Sequence, residues 1–290
     1  MIKRILFSIF YFGLDTVAKL IKLISGNYGY YSFTMNQIVI APTKVQIRAA
    51  WRELRPKNIK YLRQIFASLC LKSGDKYLIL DIGGNIGYTS LSMYKAFGSS
   101  NIEIATFEPY QPNHKFIKKN IRNKNIKLHY FGLGVEERTL DMNFPNYVSE
   151  ISDVDNRLNT GRVSFFGFGN EGNKDSQKSA TLKIGDQIVP SIAKGNKIPY
   201  IKIDVEGYEL NVLLGLRQTI VENRPTIQLE CNPVTMEIGG ITMSMIVNFA
   251  DSVGYGLFIR ENDKFLAISE TKKQYPVSIF ELFLRPVIRV

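Results

Sequence analysis

Cysteine and histidine are almost absent from this chain. Two cysteines, Cys70 and Cys231, and two histidines, His114 and His129, are spread over 290 residues. The cysteines sit in apolar contexts without metal-site spacing, and the histidines are too few for a histidine-rich metal site. That usage fits a reducing compartment. Long apolar runs are also missing. Residues 5–14 are interrupted by Ser8 and ended by Asp15, which is too short to cross a bilayer. Acidic residues are scarce at the front of the chain. Residues 1–72 hold 12 of the 37 Lys and Arg but only 2 of the 26 Asp and Glu, so they carry +10 of the net +11. The remaining 218 residues are nearly neutral. A basic front end implies an anionic partner, whether membrane lipid, phosphorylated glycan or nucleic acid. The hydrophobic share, 45%, is ordinary for a globular chain with a real core.

The stretch that organises the rest is residues 77–88, YLILDIGGNIGY. It reads as a buried strand ending at Asp81, then a glycine turn, then a helix, TSLSMYKAF. Glycines let backbone approach a ligand, and the amides opening a helix face anionic groups. The spacing does not fit the dinucleotide fingerprint G-x-G-x-x-G. It fits D-x-G-x-N-x-G through Asp81, Gly83, Asn85 and Gly87, with Gly84 filling the variable position, and so resembles the first motif of class I S-adenosylmethionine (SAM) methyltransferases. A second strand, residues 102–107, ends at Glu108, 27 residues after Asp81. An acidic residue ending strand two of an open parallel sheet is placed to bind ribose hydroxyls. The bland readings are a glycine turn serving packing alone and a carboxylate capping the next helix.

Strand, helix and strand patterns alternate from residue 77 onward, which implies a parallel sheet. A third strand at 126–131 is followed by Gly132-Leu133-Gly134. Residues 140–195 form a polar, irregular insertion with a return strand at 180–184. A fourth strand, 198–205, ends in IKIDVEGYE. Alternation puts Lys202, Asp204 and Glu206 on one face if the strand continues that far. A helix follows at 210–221, then a fifth strand at 226–230 ending in Glu230. Three carboxylates at one sheet edge are hard to explain by packing. Their oxygens would suit Mg²⁺, although the sequence carries no metal motif. Residues 243–253 read as a helix, and 255–260 with 264–269 as an antiparallel hairpin.

Ahead of this body, residues 1–72 read as a basic, mainly helical extension. In residues 1–24 the apolar positions recur at helical spacing, which suits an interfacial helix or one docked on protein. Pro42-Thr43 starts a helix over 44–55, with Lys44, Arg48, Arg52 and Arg55 on one face beside Trp51. That stripe suits lipid headgroups or phosphate; its bland reading is a solvated charged face. Pro56 ends it, and residues 58–71 read as another helix.

With LDIGGNIGYTSL, TFEPYQPNHKFIKKNI, the FGLG turn, YIKIDVEGYELNVLLG and RPTIQLE in order, the chain resembles the FkbM-type methyltransferases from about residue 80 to 230. The resemblance implies a doubly wound, mostly parallel seven-stranded Rossmann-like α/β sheet over residues 73–290. It implies an O-methyltransferase using SAM on a hydroxyl of a glycan, lipid-linked saccharide or secondary metabolite. Asp81, Gly83, Gly84, Asn85 and Gly87 would cradle the methionine end of SAM, Glu108 would hold the ribose, and Gly132 and Leu133 would border the adenine. Asp204 is the first candidate for a base, Glu206 the second, with Lys202 keeping Asp204 ionised. The family's L-D pair before this strand is replaced here by Leu182-Lys183, with Asp186 nearby. A SAM enzyme works where its cofactor is made, so a cytoplasmic location is expected, with peripheral contact to anionic membrane through residues 1–24 and 44–55. That location argues against a signal peptide cleaved after Thr16-Val17-Ala18. The alternatives are an RNA or protein methyltransferase and a non-catalytic scaffold of the same fold. Strand four does not end in the N/D-P-P-Y form used on base nitrogens, which argues against nucleic acid.

Overall fold

A computed structural model describes residues 21, 27–69, 71–97, 101–142, 178–261, 264–268 and 278–287. The expected helix over 1–24, apart from Ile21, and residues 143–177 of the polar insertion lie outside the described residues.

Thirteen strands and nine helices are described. Strands β1 (Tyr28–Ser32) and β2 (Gln37–Ala41) form an antiparallel hairpin. Helix α1 (Lys44–Leu54) starts where expected, because Thr43 caps it by accepting the Gln46 amide at 3.2 Å. Pro56 both stops α1 and opens α2 (Pro56–Ala67), as a proline at the first helical position does. The second helix therefore begins and ends earlier than residues 58–71.

Then follow β3 (Tyr77–Ile82), α3 (Tyr88–Phe97), β4 (Ile102–Phe107), α4 (Gln111–Asn120), β5 (Ile126–His129), β6 (Gly132–Gly134) and β7 (Arg138–Met142). From residue 178 come β8 (Lys178–Ile184), α5 (Gly185–Ala193), β9 (Lys197–Ile203), α6 (Glu209–Gly215), α7 (Arg217–Asn223) and β10 (Thr226–Cys231). The chain closes with α8 (Pro233–Ile238), α9 (Met243–Val253), β11 (Tyr255–Glu261), β12 (Lys264–Ala267) and β13 (Phe280–Pro286).

The main sheet has eight strands, not seven, in the order β12-β11-β13-β10-β9-β3-β4-β5. The β5-β4-β3-β9-β10 block is parallel. Strand β13 lies antiparallel between β10 and β11. The expected 255–269 hairpin is present as β11 and β12, and β12 adds the eighth strand at the edge. The sequence reading had no β13. Its Leu282 and Leu284 enter one core and Phe283 the other, so no polar alternation marks it as a strand.

Three further differences have local causes. The expected 210–221 helix is two helices broken at Leu216, where the Gly215 backbone packs so closely on Gly134 that a Cβ would collide with the Gly134 carbonyl. The 132–134 turn is a short strand, β6, parallel to β8 in a separate β6-β8-β7 sheet. Part of the expected irregular insertion is helix α5. Its Asp186 accepts the Gln218 and Thr219 amides at 2.8 Å, capping α7 rather than entering the site.

Two hydrophobic layers flank the sheet. Leu78, Leu80, Ile201, Ile203, Ile227 and Leu229 face helices α5–α9. Tyr77, Ile79, Tyr200 and Phe283 face α1, α2 and α3, which contribute Ile47, Leu54, Ile65, Phe66 and Met93. Each such side chain stabilises by roughly 1.5–3 kcal/mol when fully buried. On this second face the strands turn polar toward their ends. Asp81, Lys202 and Gln228 are in register across β3, β9 and β10, and Glu230 opposes Glu281 across β10 and β13. That polar end of an otherwise apolar face is where the site lies.

Candidate active site

A cavity of about 470 Å³ lies at the carboxyl ends of β3, β4, β9 and β10, where open α/β sheets bind ligands. Its volume suits a small-molecule site.

The glycine turn forms one wall. Strand β3 is buried throughout and stops where Gly83 takes a φ of +89°. A Cβ on Gly83 would strike the Asp204 carbonyl, and one on Gly84 would strike Thr106. These glycines let β3 close onto its two neighbouring strands. Asn85 follows at φ 49°, and its amide donates to Glu108 Oε2 at 2.6 Å. The Tyr110 amide donates to Glu108 Oε1 at 2.8 Å. Burial nevertheless dominates and pushes the Glu108 carboxyl up to about 8. The Asn113 side chain also hydrogen-bonds this carboxyl, whose acceptor sites leave room for a further donor. Beyond Glu108 the wall runs over Pro109, Gly132, Leu133 and Leu182.

The opposite end holds the charged cluster. Lys202 donates to Asp204 Oδ2 at 2.9 Å. Burial opposes the Lys202 ammonium, but Asp204, Glu230 and Asp81 surround it and hold its proton on well above the usual lysine range. The charge of Asp204, followed by burial, pushes Glu230 up to about 9. Glu230 thus keeps a proton near neutrality and shares it with Asp204. Carboxylate oxygens of Asp204, Glu206 and Glu230 all lie within 4.8 Å of one another. Glu206 gets there by a left-handed turn (φ 51°) after β9 has ended, not by strand alternation.

Of the residues singled out in the sequence, Gly83, Asn85, Glu108, Gly132, Leu133, Lys202, Asp204, Glu206 and Glu230 line this one cavity. Asp81, Gly84 and Gly87 do not. Asp81 is fully buried beneath the turn, where it accepts a hydrogen bond from Ser90.

The roof was missed in the sequence. Helices α1 and α2 cover the polar sheet end, and Gln46, Arg52, Glu53, Arg55, Asn58 and Tyr61 line the cavity. Gln46 ties the roof to the turn by donating to Asn85 Oδ1 at 2.9 Å. Glu53 is held by Asn58 at 2.9 Å, and burial raises its carboxyl above the usual range. Tyr61 donates to Glu281, which also accepts Gln228 Nε2 at 2.6 Å. The i, i+3 pair Arg52 and Arg55 was visible as a stripe; its direction toward the cavity was not.

Residues 81–257 match the profile described as Methyltransferase FkbM domain, more than half of the chain. The chain belongs to this family. The matched residues run from the end of β3 through β4, β5, β9 and β10 of the parallel β5-β4-β3-β9-β10 block of the sheet. Among curated proteins the chain is 25% identical over 164 residues to Methyltransferase 1 of Beauveria bassiana, covering 53% of this chain and 65% of that protein. It is 24% identical over 177 residues to the AMB antimetabolite synthetase AmbE of Pseudomonas aeruginosa, covering 53% of this chain and 8% of that protein. The chain thus spans less than two thirds of the length of both relatives. A crystal structure of methyltransferase FkbM from Methylobacillus flagellatus aligns with a TM-score of 0.46 at 14% identity, covering 83% of this chain and 54% of that one. An SAH-bound methyltransferase of Podospora anserina aligns with a TM-score of 0.42 at 11% identity, covering 94% and 95%. Among the described residues, no helix is long and apolar enough to cross a membrane.

Proposed function

We propose that this FkbM-family chain is a SAM-dependent O-methyltransferase acting on a hydroxyl of a saccharide or a related polyol. One observation carries the reading. The Asp204–Lys202–Glu230 cluster, the glycine turn and Glu108, which accepts the turn's Asn85 amide, line the same cavity. The residues fit the cofactor by their chemistry. Glu108 has acceptor capacity left for ribose hydroxyls, the 83–85 turn suits the amino-acid end, and Gly132, Leu133 and Leu182 offer a small, apolar surface for the base. Bound SAM supplies a methyl group on a sulfonium, an electrophile ready for displacement.

The protein's part is orientation and one proton. Holding an acceptor oxygen in line with the methyl is worth roughly 7–11 kcal/mol. A sugar hydroxyl is a weak nucleophile, and a base accepting its proton contributes about 10²–10⁴-fold. Asp204 is that base. Lys202 holds Asp204 Oδ2 at 2.9 Å, and Glu230 already holds a proton, so the acceptor's proton goes to Asp204 Oδ. The proton then leaves to water with the methyl ether formed. Asp204, Glu206 and Glu230 also support a second reading, Mg²⁺ dependence, because their oxygens converge within 4.8 Å. Activity lost to EDTA and restored by Mg²⁺ would favour it.

Titration calorimetry with SAM on the native chain and on Glu108→Ala tests the main reading. Micromolar-range binding to the native chain, weakened by at least about tenfold in the variant, is expected, because the ribose would lose its hydrogen-bond partner in a buried pocket. No binding by a folded native chain would overturn it and favour a scaffold.

A further inference from the structure

The cavity wall contains three cationic side chains, Arg52, Arg55 and Lys202. Lys202 is already taken by Asp204 at 2.9 Å. The two arginines are not. Among the described residues neither guanidinium forms an ion pair. Arg55 rests on the Trp51 ring at 5.5 Å, while its Nε is buried with no hydrogen-bond partner. This is unusual beside so many carboxylates, since Glu53, Asp204, Glu206, Glu230 and Glu281 share the wall. Glu53, next in sequence to Arg52, gives its carboxylate to Asn58 instead.

The cavity is therefore bipolar. Its carboxylate end accepts hydrogen bonds from hydroxyls and repels anions. Its roof presents two guanidiniums, whose planar forks match phosphate oxygens bidentately. Arg52 lies in the last turn of α1 and Arg55 is the extended residue joining α1 to α2, and both line the cavity, so they can hold one group between them. We propose that Arg52 and Arg55 form a phosphate subsite of the acceptor, so that the substrate is a saccharide bearing a phosphate ester. This rests on the saccharide reading above. The phosphate is held under the roof while the neutral ring presents its hydroxyl to Asp204. The same chemistry occurs in a soluble sugar phosphate and in a lipid-borne phosphate.

The test uses the full chain loaded with S-adenosylhomocysteine. Glucose 1-phosphate is titrated by calorimetry, and phosphatidic acid is offered in phosphatidylcholine vesicles in a flotation assay. Each is repeated on Arg52→Gln/Arg55→Gln, with circular dichroism as the folding control. The expected result is binding to the native chain that weakens about tenfold or more in the double variant, with S-adenosylhomocysteine affinity changed by less than about twofold. Loss in the glucose 1-phosphate arm assigns a soluble acceptor, and loss in the vesicle arm alone assigns a lipid-borne one. Both support the subsite. Absence of binding in both arms, or binding that ignores the arginines, overturns it. So does a fall in S-adenosylhomocysteine affinity without a phosphate effect, because the arginines would then serve the cofactor carboxylate. Retained cofactor binding in the native chain keeps the methyltransferase reading standing in each of these cases.

Discussion

Lys202 is the residue on which the charged end of the cavity turns. Its ammonium is favoured by the charges of Asp204, Glu230 and Asp81, which outweigh the cost of burying it. The base role proposed for Asp204 is tested by Asp204→Asn, which changes the shape little. The variant is expected to lower kcat by about 10²–10⁴ while S-adenosylhomocysteine affinity stays within about threefold. A drop confined to cofactor affinity, measured by calorimetry, would make Asp204 a ligand of the amino group instead. These residues were legible in the sequence because a strand end followed by acid and glycine is a local signal. Glu281 was not, because it faces Glu230 only through a strand 51 positions away that the sequence did not reveal. Asp81 was legible as a motif residue, yet its side chain turns under the glycine turn to Ser90. A motif names the residue type, while neighbouring strands decide which way the side chain points.

At the scale of elements, helices α1 and α2 decide what the site encloses. Their apolar faces and their caps were readable from periodicity, Thr43 and Pro56. Which part of the sheet they cover was not, because that depends on contacts with β9, β10 and β13 far along the chain. One buried side chain stitches the front of the molecule to the glycine turn. Asn120, the last residue of α4, donates to the carbonyls of Ile40 and Ile86 at 2.9 and 2.8 Å and accepts the Ile40 amide at 2.9 Å. It is fully buried. Asn120→Ala leaves these groups without partners, and each such loss costs roughly 1–3 kcal/mol. Urea unfolding should therefore show a loss of about 3 kcal/mol, with weaker S-adenosylhomocysteine binding because Ile86 lies within the turn. A variant as stable as the native chain would mean that water replaces all three bonds.

The whole molecule carries an unusual load of buried carboxyls, and this gives its stability a definite pH dependence. Burial lifts Glu209 to about 7 and Glu108 to about 8, and Asp204 with burial lifts Glu230 to about 9. In the unfolded chain each titrates near 4.5. Between these limits the folded chain binds more protons than the unfolded one. Stability contributed by each protonated carboxyl is present below its unfolded value and is lost as pH rises through its folded value. The slope is about 1.4 kcal/mol per pH unit for each proton retained. His114 and His129 act in the opposite sense, since burial lowers both below 6.5, but their effect ends once the unfolded histidines are neutral. Above pH 6.5 the carboxyls therefore prevail, and the cofactor-free chain is expected to lose stability steadily toward pH 9 in urea titrations. Glu230→Gln removes the highest of the three steps while keeping a neutral, hydrogen-bonding group beside Asp204. Its unfolding midpoint should fall less between pH 7 and 9 than that of the native chain, and at pH 9 it should be the more stable protein. Parallel curves for the two chains would mean that Glu230 is ionised throughout, and the shared proton that leaves Asp204 as the base would have to be abandoned.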